Sequence, residues 1–264
     1  MKRLRQRWQT LRSVARSLRI YYGDRGHRNA MRILYGRFIR PDDLVFDIGA
    51  HVGDRIAAFR RLGARVVAVE PQPALVTTLR ILYGRDRAVT IEPIALASSP
   101  GTLQLQLNLD NPTVATGSHA FVQAAYGAPG WEGEKWTKTI DVPAITVDAL
   151  IERHGKPAFI KLDVEGLEAD VIAGLSYAVP ALSFEFTTLL PQVARSCVLH
   201  CANLGYARYN AILGEKHSFV HSEWLTSSEI AAWLSSLPLE ANSGDIYAIH
   251  ESGIRNQGSD ASNQ

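Results

Sequence analysis

The 264 residues suffice for one α/β domain with some elaboration, and a hydrophobic content of 46% permits a sizeable core. No apolar run approaches the roughly 18 residues of a membrane span, and no signal-peptide core follows the basic start. The net charge of +2 hides an asymmetry: residues 1–40 carry 12 Lys or Arg against one acid, Asp24, and the remainder nets −9.

Residues 2–20 predict an amphipathic helix, with Leu4, Trp8, Leu11, Ala15 and Leu18 at helical spacing among seven basic residues. Its apolar stripe suits packing on the domain; its arginines also suit an anionic membrane surface. Nucleic-acid contact is not expected, because no aromatic interleaving or recognition motif accompanies the charge. Residues 21–40 continue as a helical lead-in across the mouth of the following unit, with Tyr21 and Tyr22 as rim or substrate aromatics.

Residues 44–48 are a short apolar run of the kind a buried central strand shows. Gly49, Ala50, His51, Val52 and Gly53 follow, then a helical stretch from Ile56. Strand, glycine turn and helix open a βαβ nucleotide-binding unit. Residues 65–70 form the second strand, ending in Glu70, an acid placed to take both hydroxyls of a ribose. The spacing Asp47-x-Gly49-x-x-x-Gly53 departs from the G-x-G-x-x-G of dinucleotide sites, and its acid would repel a pyrophosphate. That favours a nucleoside with a cationic tail.

Residues 71–83 read as a helix, 88–97 as the third strand with its turn, and 102–107 as a half-buried antiparallel strand. Residues 108–137 break the βα rhythm with a polar, glycine-rich insertion, read as a substrate-side lid because Trp131 and Trp136 argue against disorder. A strand over 138–143, a helix capped by Thr146, a fourth strand ending at Asp163 and a helix from Leu167 come next. A fifth strand over 181–186, a helix over 191–203 and two last strands at 208–213 and 245–250 complete the unit, with a helix over 227–234. The tail 252–264 is polar and expected to be disordered. Cys197 and Cys201, four apart, suit one helical face better than a disulfide. With no further Cys or His at ligand spacing, no zinc site is expected, and a reducing cytoplasm is the expected compartment.

Four acids, Asp47, Glu70, Asp163 and Glu185, fall at predicted strand ends, where open parallel sheets bind ligands. Around them Asp47-Ile-Gly-Ala-His-Val-Gly53, Val69-Glu-Pro-Gln-Pro73 and Ile160-Lys-Leu-Asp-Val-Glu-Gly-Leu-Glu168 resemble the FkbM family of S-adenosylmethionine-dependent methyltransferases. The resemblance covers roughly residues 40–190, and His51 stands where the family usually has Asn. It implies a class I methyltransferase fold: α/β, Rossmann-like, a doubly wound and mostly parallel seven-stranded sheet with its last strand antiparallel. The implied organisation is a basic helical extension (1–40), a methyltransferase domain (41–251) and the tail.

By the same resemblance, Asp47, Gly49, Ala50 and Gly53 line the methionine part of S-adenosylmethionine, Glu70 holds its ribose, and Ile94 and Ala95 meet its adenine. The implied acceptor is a hydroxyl on a small molecule, sugar or glycan. Methyl transfer from a sulfonium needs alignment of the acceptor oxygen and a base for its proton. Asp163 and Glu165 are the candidates, and His51 a third, although a hydrogen-bonded helix-start residue is the plainer reading of His51. Lys161 is an ion-pair partner for a nearby acid. Asp163 and Glu165 alone are two carboxylates without a third metal ligand. A nicotinamide-dependent oxidoreductase fails on the glycine spacing; a non-catalytic nucleotide-binding protein is the remaining rival.

Overall fold

The computed structural model describes residues 2–251, and their side chains except those of residues 2–8, 11 and 25. The tail 252–264 and the Leu4, Trp8 and Leu11 part of the apolar stripe lie outside what is described. The main sheet has seven strands in the order β3-β2-β1-β7-β8-β10-β9. These are β1 (Leu44–Ile48), β2 (Arg65–Val69), β3 (Val89–Glu92), β7 (Phe159–Leu162), β8 (Ala181–Thr187), β9 (Tyr206–Leu213) and β10 (Ser243–His250). β10 runs antiparallel to both β8 and β9, and the pairs from β3 through β8 are parallel. This is the class I methyltransferase architecture, with the strand order turning at β1, where ligand sites form.

Both faces of the sheet are covered, as near-continuous apolar strands require. Phe46 and Ile48 of β1 pack with Leu162 and Phe184 beneath α6 (Val147–His154), α7 (Glu168–Ala173), α8 (Pro191–Asn203) and α9 (Ser227–Ser236). Val45 faces the other way, toward Met31, Leu34 and Tyr35 of α2 (Arg25–Tyr35) and Phe59 of α3 (Asp54–Arg61). Because strand side chains alternate, Asp47 and Lys161, in register on β1 and β7, share this second face. Cys197 and Cys201 are free thiols buried on one side of α8.

Three expectations are revised. Residues 88–97 are not one strand: β3 stops at Glu92, and Ala95–Leu96 (β4) joins a second, three-stranded sheet with β5 (Gly101–Leu107) and β6 (Lys138–Ile145). The chain leaves the main sheet because the Leu105 and Leu107 side of β5 needs its own cover, which Ala95, Val142 and Ala144 supply. The first helix, α1 (Lys2–Gly23), runs past residue 20 and breaks at Asp24, whose carboxylate caps α2 through Gly26 N at 2.7 Å. His51 does not start a helix: α3 begins at Asp54, and His51 sits in the preceding turn with φ 48°.

The insertion is folded. After β5 comes a short 3₁₀ turn at Pro112–Val114, then α5 (His119–Ala125). Phe121 of α5 meets Trp131 and Trp136 edge-on, with ring centroids 5.1 and 6.2 Å apart. Trp136 Nε1 donates to Val114 O at 2.7 Å, and Gln72 Nε2, just before α4 (Pro73–Tyr83), donates to Pro112 O at 2.9 Å. The tryptophans therefore knit the insertion to itself, and Gln72 ties it to the carboxyl end of β2.

Gly49 has φ +83°, and a Cβ added there would lie 1.7 Å from Asp163 O. Gly127, with φ +75°, faces open space. Gly127→Ala is therefore expected to cost only the left-handed strain, about 1–2 kcal/mol. Gly49→Ala adds a backbone clash between the two central strands and should cost at least about twice that. Urea unfolding of both variants measures the difference, and equal midpoints would show that Gly49 has no such constraint.

Candidate active site

At the carboxyl ends of β1, β2 and β7 lies a cleft with about 870 Å³ of atom-free space, part of it open to solvent. That is the size of a small-molecule site. Its floor is Ile48, Gly49, Val69 and Glu70; Ile94, Ala95 and Leu96 make one wall; Asp163, Val164, Glu165 and Glu185 make the other. Pro112, Thr113, Ala115 and Gly117 of the insertion form the roof, and Tyr21 of α1 closes one side. Tyr21 meets His51 edge-on at 5.5 Å, and Tyr22 Oη donates to Val52 O at 3.0 Å. The expected lid and the expected helical cover are both at the mouth.

Of the sequence-derived residues, Gly49, His51, Glu70, Ile94, Ala95, Asp163 and Glu165 line the cleft together, whereas Asp47, Ala50 and Gly53 stand behind it. The glycine turn spends its amides within the protein. Gly49 N and Ala50 N both donate to Val69 O, at 2.9 and 3.0 Å, and Gly53 N to Ala50 O at 2.8 Å. Gly53 has φ +84° and sits against Tyr83 and Leu79. The close approach that Gly49 permits is to the backbone of Asp163.

Glu70 is buried, and each of its oxygens accepts one backbone N–H: Oε2 from His51 at 2.9 Å, Oε1 from Gln72 at 2.8 Å. Burial pushes its pKa up to about 8 against those two hydrogen bonds. Each oxygen keeps a lone pair free toward the cleft. Asp47 is fully buried with neither oxygen hydrogen-bonded, and burial raises it to about 7.

The opposite wall of the cleft is built around Asp163. Its Oδ2 meets Arg55 Nη2 at 3.0 Å and Lys161 Nζ at 3.4 Å, and Lys161 also reaches Asp245 Oδ1 at 2.9 Å. Burial works to raise the pKa of Asp163, but Lys161 and then Arg55 outweigh it and hold the carboxyl down at about 2. Glu165 and Glu185 have no such cations to themselves. Burial first, and the neighbouring charge of Asp163 second, push both well above the carboxylate range. Asp163, Glu165 and Glu185 each offer an oxygen within 4.8 Å of the others, so the third carboxylate that spacing did not reveal comes from β8. Asp163 hydrogen-bonds with Glu185.

Glu165 has φ 55° and precedes the helix rather than capping it. Glu168, the first residue of α7, instead ties down the loop before it, accepting from Val164 N and Gly166 N at 3.0 Å each. Thr116 Oγ1 of the insertion donates to Glu165 O at 2.6 Å, tying roof to wall. His51 is nearly buried; burial pushes it down to about 4, so its ring is neutral near pH 7, with Thr113 Oγ1 3.4 Å from Nε2. Arg55 and Glu215 also line the cleft, and sequence reading missed both. A charged pair, Asp54-Arg55, ahead of an apolar helix was the signal for Arg55; Glu215, in a loop after β9, had none.

Comparison with known proteins decides the family. Residues 47–238 match the methyltransferase FkbM domain. The chain belongs to the FkbM methyltransferase family. The hexuronic acid methyltransferase AglP of Haloferax volcanii is 31% identical over 165 residues, a match spanning 61% of this chain and 61% of that protein. Among solved structures, a TehB-like S-adenosylmethionine-dependent methyltransferase from Corynebacterium glutamicum aligns with a TM-score of 0.44 at 9% identity, over 95% of this chain and 97% of that one. Magnesium protoporphyrin IX methyltransferase from Synechocystis, with S-adenosylmethionine bound, aligns at 0.44 and 13% identity, over 90% and 83%. S-adenosylmethionine is the cofactor of the FkbM methyltransferases.

The charge on Asp163 gives stability a pH signature. Its folded pKa, about 2, lies below the roughly 3.9 of an unfolded Asp. Its contribution is therefore complete above about pH 5 and fades as pH falls through the folded value. Asp163→Asn leaves Arg55 without its partner and should cost about 3 kcal/mol at pH 6–7. Wild type and variant should converge in denaturant midpoint only below about pH 2. A gap that persists there would exclude the ion pairs as its cause.

Proposed function

We propose that this chain is an S-adenosylmethionine-dependent methyltransferase that methylates a hydroxyl of a sugar or other small molecule. The observation that carries the reading is that one cleft is lined by Glu70 at the end of β2 and by Glu165 beyond the end of β7, with burial and the charge of Asp163 pushing the Glu165 carboxyl well above the usual range. When bound, S-adenosylmethionine supplies a methyl group already activated on a sulfonium. Glu70 would hold its ribose diol, Ile94 and Ala95 its adenine, and Gly49 leaves the floor bare. Asp47, buried without a hydrogen bond behind the turn, would favour a cationic tail in its ionised form.

The acceptor side is rich in carboxylates, which accept hydrogen bonds from hydroxyls and repel anions. A neutral hydroxyl is therefore the favoured acceptor group, and a sugar offers several. Glu165 would take the hydroxyl proton as the C–O bond forms, a task suited to a carboxyl whose pKa has been lifted toward neutrality. Asp163, fixed as an anion by Lys161 and Arg55, positions rather than transfers protons, and a neutral His51 shapes the floor beside Tyr21.

Two variants test the division of labour. Glu70→Ala should weaken S-adenosylmethionine binding by removing charge-assisted hydrogen bonds worth about 1.5–3 kcal/mol each. Glu165→Gln should leave that affinity within a few-fold and lower turnover about 10²–10⁴-fold. In the wild type, kcat/KM should rise with pH through a value above the usual carboxylate range, because Glu165 must lose its proton to act. Calorimetry and labelled-methyl transfer measure these quantities. Cofactor binding without turnover on any sugar or small-molecule extract would favour the non-catalytic reading.

Contact with an anionic membrane remains part of the proposal on one observation. Ser13, Val14 and Ser17 of α1 are buried against the domain, while Arg12, Arg16 and Arg19 lie exposed on the opposite side. No helix among the described residues is long and apolar enough to cross a membrane. Arg12, Arg16 and Arg19 changed together to Gln should abolish salt-sensitive binding to acidic liposomes while S-adenosylmethionine affinity is unchanged. Equal liposome binding by both proteins would rule the contact out.

A further inference from the structure

Beside the cleft, and sharing Arg55, Glu185 and Glu215 with it, lies a second cavity bounded by the loop after β9 and by α2 and α3. Here the fold joins residues that sequence spacing keeps 190 positions apart. His217 Nε2 lies 2.9 Å from His27 Nδ1, and the rings meet at 66° with centroids 4.6 Å apart. Glu215 Oε2 lies 3.9 Å from His217 Nε2, and the three ligand atoms all fall within 4.8 Å of one another. We propose that His27, Glu215 and His217 bind one first-row transition-metal ion, zinc in the first instance.

The donor set points to that class of ion. Two imidazoles and a carboxylate suit zinc and its neighbours, whereas magnesium and calcium take oxygen ligands. Around a tetrahedral zinc with bonds of 2.0–2.1 Å, ligand atoms sit about 3.3 Å apart. The observed 2.9 and 3.9 Å bracket that separation, and the third side is within 4.8 Å. His217 is held at φ 53°, a left-handed conformation that costs energy in a non-glycine residue, and it is this backbone that turns Nε2 toward His27.

The outer nitrogen of His27 adds an independent observation. His27 Nε2 and Asp54 Oδ1 are both buried with no hydrogen-bond partner, and the nearby Asp54 carboxylate works to raise His27 above its ordinary value. A carboxylate behind a histidine, fixing its tautomer and leaving the inner nitrogen free to ligate, is the usual support of a metal site. Three protein ligands leave a fourth position open. His217 and Glu215 line the second cavity, so that position faces the space adjoining the acceptor side of the cleft.

The alternative is a metal-free pair of neutral imidazoles sharing one N–H. The full chain, stripped with a chelator, would be titrated with zinc against a chromophoric competitor, and separately with cobalt to read its visible d–d absorption. One equivalent per chain is expected in both. His27→Gln and His217→Gln should each weaken zinc binding at least 100-fold, and Asp54→Asn about 10–100-fold. Glu165→Gln and Asp163→Asn, in the neighbouring acid cluster, should leave it within a few-fold. Circular dichroism of the metal-free variants separates lost binding from lost folding, and zinc should raise the melting temperature of the wild type only. Absence of one-equivalent binding by the full chain overturns the proposal. So does binding that survives both histidine variants but fails in Glu165→Gln.

Discussion

Asp163 is the group on which the site depends. One carboxylate, at the end of a central strand, holds two cations: Lys161 from its own strand and Arg55 from α3. Lys161 is fully buried and has no route to water, so it requires Asp163 and Asp245 together. Once Asp163 has claimed both cations, the acids that follow it must manage without. Glu165 and Glu185 are pushed up by burial and by Asp163 itself, which sets an ionised carboxylate beside two whose pKa is driven well above the usual range. Environments that drive neighbouring carboxyls apart are how one cleft assigns positioning to one group and proton transfer to another.

The geometry that permits this arrangement comes from Gly49. With no Cβ, β1 and β7 close to the point where the backbone of Asp163 passes over the turn. The turn then folds onto β2, its amides spent on Val69, and the next amide, His51 N, steadies Glu70. The two sides of the cleft are therefore mechanically joined: the same few residues that orient Glu70 also seat Asp163. The roof is joined as well, since Thr116 donates to the carbonyl of Glu165.

Much of the main sheet was legible because its signals are local. Apolar runs mark β1, β2, β7 and β8; the Thr146 cap and Gly205 mark helix ends; and acids at strand tips mark the ligand side. The split of residues 88–97 was not legible, since Ile94-Ala95-Leu96 is as apolar as a continuing strand and only the needs of β5 draw it to another sheet. The third acid, Glu185, was visible as a strand-end residue, but its meeting with Asp163 and Glu165 depends on β7 and β8 being neighbours. Arg55 and Glu215 act through tertiary placement alone. So do His27 and His217, which no rule of ligand spacing joins.

The basic extension reads in sequence as a leader attached to a domain at residue 40, but its packing argues otherwise. Tyr35 meets Phe59 at 4.8 Å and Phe159 at 5.8 Å, and Phe38 stacks on Phe159 at 5.3 Å and Tyr247 at 5.5 Å. Met31, Leu34 and Ile39 are buried in the same layer. That layer covers the face of the sheet on which Lys161 and Asp245 sit. Stripping it would open a low-dielectric wall to water and weaken the electrostatic contrast between Asp163 and its neighbours. Tyr21 and Tyr22, one helix earlier, then close the cleft against the glycine turn. The extension is thus a wall of the site, and its arginine-bearing outer side is the part left free to meet anything else.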